Sequence, residues 1–232
     1  MNGPAVLDMW WRDIMTAHWR ADAAVLARLL PPGVELDRFD GDAWLSVVPF
    51  RMTGVRVRFA PVLPGFGDVP ELNLRTYVRV GRRAGVFFVS LDAGSPVVVR
   101  AARLATGLPY LHARIALEAS QSDVECTSVR TEHAVRPGRF HARYRAMGDA
   151  FEAEPGTLAH FLHERYTFFV RRGPLLFVGE VRHEPWRLQR AWVDISENTL
   201  GDLASHALSA SPACAFFSRA LHVRAAAVLP LR

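Results

Sequence analysis

Hydrophobic and polar residues alternate with a period of two along much of this chain, the pattern of β-strands with two different faces. The clearest case is the segment 71–80. Its even-numbered residues are mostly aliphatic, whereas its odd-numbered residues are Glu71, Asn73, Arg75, Tyr77 and Arg79. Similar alternation or short apolar runs predict further strands over 44–52, 86–92, 110–118, 124–133, 139–146, 175–183, 188–193 and 221–229.

Fewer segments have the spacing of an amphipathic helix, and all of them are short. Helices are predicted over 20–30, 96–105, 157–166 and 196–208. The second has the clearest limits, because Ser95 is a good N-cap, Pro96 suits the first helical position and Gly107 can cap the end.

Many antiparallel strands with a few short helices indicate a mainly β (α+β) fold whose sheet is closed or nearly closed. The chain has no internal repeat, low-complexity tract or long linker. Residues 1–232 are therefore predicted to form a single domain.

All 28 basic residues apart from histidine are arginine, and lysine is absent. Chemistry that needs a lysine amine, such as a Schiff base, is therefore excluded. The net charge is +5, but the arginines are spread along the chain without a nucleic-acid-binding motif, so a nucleic-acid partner is not expected. No secretory signal or membrane-spanning run is present, which predicts a soluble cytoplasmic protein with free thiols at Cys126 and Cys214. Whether it forms a homo-oligomer stays open.

Eight short segments, in this order and at this spacing, resemble the YqjF-like family of unknown function, the domain-of-unknown-function family numbered 2071. They are LPPGVELD (30–37), FDGDAW (39–44), VPFRM (48–52), PELNLRTYV (70–78), GLPY (107–110), HA (112–113), ERY (164–166) and HEPW (183–186). That family is similar in fold to acetoacetate decarboxylase. The resemblance implies an antiparallel β-barrel or cone with a few short peripheral helices, enclosing a cavity for a small ligand.

The resemblance to the decarboxylases fails at the reactive centre. Those enzymes have two lysines after a Gly-x-Pro motif, and one of them forms a Schiff base with the substrate. Here Gly107-x-Pro109 is followed by Tyr110 and Leu111. A phenol cannot form an imine, so decarboxylation through an iminium is excluded.

If Tyr110 faces the cavity as that lysine does, His112 and Arg114 line the same wall by alternation. The polar face of 71–80 would then supply the opposite wall. We expect catalytic roles for Tyr110, His112 and Glu71, which would transfer protons beside a bound carboxylate or carbonyl. Ligand-binding roles are expected for Asn73, Arg75, Tyr77, Arg114, Arg165, His183 and Trp186. The alternative is that both polar faces are the outer, solvated faces of antiparallel strands.

Three further groups have structural alternatives. Arg165 is suited to bind a ligand carboxylate or, as we favour, to pair with a protein carboxylate such as Glu180. His183 is either an acid–base group or a turn residue. His160 and His163 are expected to face solvent, and no metal site or cofactor is predicted.

The leading hypothesis is a protein that binds a small organic carboxylate or carbonyl compound in its cavity. Whether it also catalyses a lysine-independent acid–base reaction stays open. The alternative from a different class is a non-catalytic scaffold or interaction protein whose barrel is plugged with side chains.

Overall fold

The computed structural model describes residues 5–62, 65, 67–132, 136–204, 208 and 211–231. The strands are β1 Ala5–Ala21, β2 Glu35–Leu36, β3 Ala43–Val57, β4 Asp68–Val80, β5 Arg83–Ala93, β6 Tyr110–Ala119, β7 Val124–Arg130, β8 Arg139–Phe151, β9 Thr167–Arg172, β10 Leu175–Arg182, β11 Leu188–Asn198, β12 Cys214–Ala226 and β13 Leu229–Pro230. The helices are α1 Ala23–Ala27, α2 Pro96–Thr106 and α3 Leu158–His163, with a 3₁₀ turn over Leu200–Ala204.

All these strands join one sheet in the order β13-β10-β9-β5-β6-β7-β8-β11-β12-β1-β3-β4-β2. Additional pairings of β4 with β5 and of β10 with β12 close the sheet partly into a ring. Among the described residues, the parallel pairs are those of β5 with β6 and with β9. The predicted mainly β architecture with short helices is confirmed.

Two strands change neighbours along their length, which gives the sheet two sides with separate interiors. β12 pairs with β11 near Phe216 and with β10 near Arg224. β5 pairs with β9 near Val86 and with β6 near Leu91. A shared wall therefore runs through five strands, β12, β1, β3, β4 and β5. On one side of this wall, β9 and β10 complete the first interior. On the other side, β6, β7, β8 and β11 complete the second interior.

β4 shows how alternation serves both interiors. Leu72 and Leu74 pack into the cluster that contains Tyr144 and Phe217, and this cluster fills the interior beside β6, β7, β8 and β11. Residues Glu71, Asn73 and Arg75 point to the other interior and are 2%, 4% and 7% exposed. From Glu71 to Tyr77 the polar face of this strand is therefore buried, and the alternative of a solvated outer face is wrong for this part of β4.

Two predicted helices differ from the observed elements because strand pairing outweighs local helical propensity. The predicted helix over 20–30 is reduced to α1, since Arg20 and Ala21 pair with β3; Asp22 caps α1 by accepting from Ala24 N and Val25 N. The predicted helix over 196–208 is wrong for most of the described residues in this range. β11 continues to Asn198 along β8 and only Leu200–Ala204 is helical, while 205–207 lie outside the described residues.

The long strand β1 was missed, because its buried and exposed residues do not alternate regularly. The same strand pairs irregularly with β3 between Arg12 and Ala17. The limits of α2 are as predicted, with the Ser95 side chain accepting from Val98 N and Gly107 in the left-handed conformation at φ 71°. Both cysteines are free. In the described part of the chain, no helix is long and apolar enough to span a membrane.

Candidate functional site

A cavity of about 370 Å³ lies in the interior bordered by β1, β3, β4, β5, β9, β10 and β12, under helix α2. Most of its lining is aliphatic or aromatic. The polar lining residues come from β4, the start of β6, the end of α2 and the segments that flank β9 and β10; they are Glu71, Asn73, Arg75, Thr106, Tyr110, His163, Arg165, Thr167 and His183.

Glu71 and Tyr110 meet in the cavity because β5 lies between β4 and β6. In the sheet, Ala93 is opposite Glu71 and Leu91 is opposite Tyr110. Tyr110 Oη donates a hydrogen bond of 3.0 Å to Glu71 Oε2. Burial raises the pKa of Glu71 to about 8, against the lowering effect of the hydrogen bonds from Tyr110 and Asn73. Burial and the neighbouring Glu71 also raise the pKa of Tyr110, so this pair is mainly uncharged at neutral pH.

Arg75 is the unusual charge of the site. Its Nη2 donates to the Leu162 carbonyl at 3.4 Å, and its guanidinium lies 5.9 Å from the centre of the Tyr77 ring. Its Nε is buried without an acceptor among the described residues. No carboxylate among the described residues lies within ion-pair distance of Arg75, so this buried cation has no counter-ion in that part of the chain. Such a charge is strongly unfavourable unless another group compensates it.

Arg165, in contrast, has its counter-ion within the protein. Its Nη1 donates to Asp37 Oδ2 at 2.6 Å and its Nε donates to the Phe161 carbonyl at 2.6 Å. The guanidinium also lies over the Phe161 ring at 4.2 Å. This residue therefore joins the end of α3 to the segment before β3. The predicted partner Glu180 is wrong, because that carboxylate lies 4.0 Å from Arg83 instead.

His163 was predicted to face solvent, and that prediction is wrong: the side chain is 1% exposed and lines the cavity. Its Nδ1 donates to the Ala159 carbonyl at 2.8 Å, which leaves Nε2 to accept from Thr16 Oγ1 at 2.8 Å. Burial lowers the pKa of His163 to about 3, so the ring is neutral. Its edge faces His18, whose Nδ1 contacts Ser46 Oγ at 2.6 Å.

Aromatic side chains form the wall beside His163. Trp186 and Trp11 both line the cavity with ring centres 6.4 Å apart, and their indole N–H groups have no acceptor among the described residues. Glu164 holds Trp186 in place, since its Oε1 accepts from the Trp186 backbone N–H at 3.0 Å. The ERY and HEPW segments therefore meet at this wall.

His183 lies at the same wall. Its ring is stacked on Tyr166 at 4.6 Å, and its Nδ1 donates to the Glu184 carbonyl at 2.8 Å. This assigns the ring proton to Nδ1 in the neutral form and leaves Nε2 as an acceptor. Burial lowers the pKa of His183. The structure thus shows the predicted local turn bond, although the residue also lines the cavity.

Three predicted site residues lie outside the cavity lining: His112, Arg114 and Tyr77. β6 pairs with β5 only from Tyr110 to His112 and then continues along β7, which carries it away from the cavity. His112 Nδ1 instead contacts Thr131 Oγ1 at 2.8 Å, and Arg114 is exposed. Tyr77 is fully buried behind the lining, where its Oη contacts Ser46 Oγ at 2.8 Å.

The described residues contain no group of three or more His, Cys, Asp or Glu side chains that could hold a metal ion. Residues that sequence reasoning missed include Thr16, Trp11 and the buried His18. Their common feature is their position on β1, a strand that was not predicted.

Comparisons with known proteins agree with the segments quoted above. Residues 8–222 match the family numbered 2071, described as an uncharacterized conserved protein. The uncharacterized protein YqjF of Bacillus subtilis (strain 168) is 38% identical over 201 residues, which are 87% of this chain and 82% of that protein.

Solved structures of low sequence identity share the fold. The enduracididine biosynthesis enzyme MppR, complexed with pyruvate, has a TM-score of 0.66 at 13% identity over 100% of this chain and 92% of that one. Acetoacetate decarboxylase from Legionella pneumophila has a TM-score of 0.66 at 12% identity, covering 100% and 90% of the two chains. An acetoacetate decarboxylase-like enzyme from Sphingomonas wittichii RW1 gives 0.63 at 17% identity, covering 99% and 94%.

Proposed function

Because this chain belongs to the uncharacterized family numbered 2071 and has an acetoacetate decarboxylase-like fold, we propose that its cavity binds a small organic carboxylate. In this proposal Arg75 is the counter-ion of the ligand carboxylate. Glu71 and Tyr110 supply neutral acid groups beside it. The pyruvate complex of MppR supports a carboxylate ligand only by analogy of fold, because the two sequences are 13% identical.

The observation that carries the proposal is the missing counter-ion of Arg75. Arginine cannot lose its proton in a protein, so burial of this residue leaves a permanent charge in the cavity wall. A guanidinium binds a carboxylate through two parallel hydrogen bonds, and Arg75 Nε has no acceptor among the described residues. The same lining holds two further donors, the indole N–H groups of Trp11 and Trp186, for which the described part of the chain offers no acceptor. This excess of donors fits an anionic ligand.

Glu71 adds an acid–base function to the proposed site. A carboxyl group with a pKa near 8 can both give and accept a proton close to neutral pH. With lysine absent, the reaction that suits the site is proton transfer at a carbon next to a carbonyl, without an imine. Tyr110 would keep the Glu71 carboxyl oriented through its hydrogen bond.

A scaffold with a plugged interior is less well supported. Side chains fill the interior beside β6, β7, β8 and β11, as a plugged scaffold requires. The other interior holds a cavity of about 370 Å³, which lies in the range of small-molecule sites, together with convergent polar groups. The ligand proposal therefore rests on the interior that holds this cavity.

Monocarboxylates should stabilise the protein, whereas their neutral amides should not. At a ligand concentration of 100 times Kd, binding adds about 2.7 kcal/mol to the free energy of unfolding, which raises the Tm by roughly 5–10 °C. Differential scanning fluorimetry with pyruvate, other 2-oxo acids, unbranched acids and the matching amides measures this. Equal shifts for acids and amides would contradict the role of Arg75.

The same assay separates the two strand-β6 candidates. Tyr110→Phe removes the hydroxyl that donates to Glu71 and should weaken carboxylate binding by about tenfold. His112→Ala is the matched control, because His112 belongs to the same strand but lies outside the cavity lining, and it should leave binding unchanged. A loss of binding in His112→Ala equal to that in Tyr110→Phe would place the site elsewhere.

Carboxylate affinity should fall at alkaline pH. Glu71 is neutral below its pKa of about 8 and becomes a second anion beside the ligand above it. The expected Kd is constant from pH 6 to 7.5 and then rises by up to about tenfold per pH unit. Isothermal titration calorimetry from pH 6 to 9.5 measures the profile, and Glu71→Gln should flatten it. If the Kd of Glu71→Gln still rises with pH, the titration belongs to another group.

A further inference from the structure

Apolar residues dominate the part of the cavity farthest from Arg75. Val181, Ala225, Leu7 and Val57 are consecutive partners across β10, β12, β1 and β3, and all four line the cavity. They therefore form one apolar row across the sheet. The polar lining residues of β4 lie at a different level of the sheet. Glu71 is paired with Phe50, whereas the row includes Val57, further along β3.

The row is far from the acid groups. Phe50 and Val57 are seven residues apart on β3, which corresponds to roughly 20 Å along the strand. The side chains between these levels are also apolar, including Met9, Met52 and Val223. Between Phe50 and the row, the described lining contains no arginine, aspartate or glutamate, so a second charge on a ligand that ends there would have no ion-pair partner. The row itself lies at the open end of the cavity, where Val57 is 43% exposed.

The cavity is larger than a small keto acid needs. Its volume of about 370 Å³ lies in the range of pockets that bind drug-sized ligands. Pyruvate, with its few non-hydrogen atoms, would leave most of the apolar lining without contacts.

We infer that the ligand is an amphipathic monocarboxylate, with its carboxylate at Arg75 and its hydrocarbon part along the apolar lining that starts at Phe50, Trp11 and Met52. This inference rests on the proposed function, since it uses Arg75 as the carboxylate partner. It adds the chemical class of the rest of the ligand: apolar and without a second charge.

The test is a chain-length series measured by isothermal titration calorimetry at pH 7, with acetate, butanoate, hexanoate, octanoate, decanoate and dodecanoate as probes. The Kd should fall twofold to fourfold for each added methylene at least up to octanoate. Octanedioate should bind at least tenfold more weakly than octanoate, because its second carboxylate would have to enter the apolar part.

The outcomes separate this inference from the proposed function. If acetate or pyruvate binds as tightly as octanoate and Arg75→Met abolishes both, the carboxylate site stands and the apolar ligand class is wrong. If octan-1-ol binds as tightly as octanoate and Arg75→Met changes neither, the carboxylate site itself is wrong. If none of the acids binds, the proposed function fails and the inference fails with it.

A variant tests the location of the hydrocarbon part. Met52→Trp places a larger side chain in the lining, two residues from Phe50, and should weaken octanoate binding at least tenfold while leaving acetate binding within twofold. Ala225→Phe is the control within the same lining, because the row lies too far from Arg75 for an eight-carbon chain to reach, and it should leave octanoate binding within twofold. Equal octanoate affinity in Met52→Trp and wild type would overturn the placement. If Met52→Trp does not fold, the chain-length series on the wild-type protein still decides the ligand class.

Discussion

Arg75→Met is expected to make the ligand-free protein more stable and, at the same time, unable to respond to carboxylates. The guanidinium is buried, has one long hydrogen bond to the Leu162 carbonyl and has no counter-ion among the described residues. Methionine is unbranched and flexible, so it can occupy the space of the aliphatic part of arginine without introducing a charge. Replacement of buried charges by apolar residues of similar volume is often stabilising, so we expect a gain of roughly 1–4 kcal/mol in the free energy of unfolding.

Urea denaturation at pH 7, with and without octanoate, measures both effects. The wild-type protein should be the less stable without ligand and should gain stability when ligand is added, whereas Arg75→Met should be unaffected by ligand. Arg79→Met is the matched control on the same strand. Arg79 is exposed, so this change should alter the free energy of unfolding by less than about 0.5 kcal/mol. If Arg75→Met instead loses stability, Arg75 has a structural role and the argument from its missing counter-ion fails.

Asp92→Asn is expected to cause the largest loss of stability. Asp92 and Arg130 form an ion pair whose side chains are both 0% exposed. Arg130 Nη2 donates to both carboxylate oxygens, at 2.9 and 3.0 Å, and its Nε donates at 3.2 Å. In the asparagine variant, the buried Arg130 guanidinium keeps its charge and loses the carboxylate that compensates it. This change lowers the free energy of unfolding by about 3–5 kcal/mol. Urea denaturation should detect it directly.

The double variant Asp92→Asn/Arg130→Met shows that the loss comes from the unpaired charge. Removal of Arg130 as well should restore most of the stability, to within about 1–2 kcal/mol of the wild-type protein. Glu197→Gln serves as a control, since its pair with Arg139 is partly exposed on both sides and should contribute less than about 1 kcal/mol. If Asp92→Asn costs no more than Glu197→Gln, the buried pair does not support the fold as proposed.

The two buried arginines show why the ligand proposal needs the tertiary structure. Arg75 and Arg130 are equivalent in the sequence, each on a strand with alternating residues. Arg130 meets Asp92, 38 positions earlier in the chain, whereas Arg75 meets no carboxylate among the described residues. The distinction between a structural and a ligand-binding arginine therefore depends on which strands lie next to each other.

The sequence alone determined the strand-rich class, the limits of α2, the family resemblance and the exclusion of imine chemistry, because alternation, capping residues and residue types are local properties. It also placed Glu71, Asn73, Arg75 and Tyr110 on candidate walls of one cavity. The tertiary structure decided that β6 leaves the cavity after Tyr110, so that His112 and Arg114 lie outside it. It also brought His163 to Thr16, which is 147 residues away in the chain. These contacts depend on long-range strand pairing, and alternation shows only which residues share a face, not what that face meets.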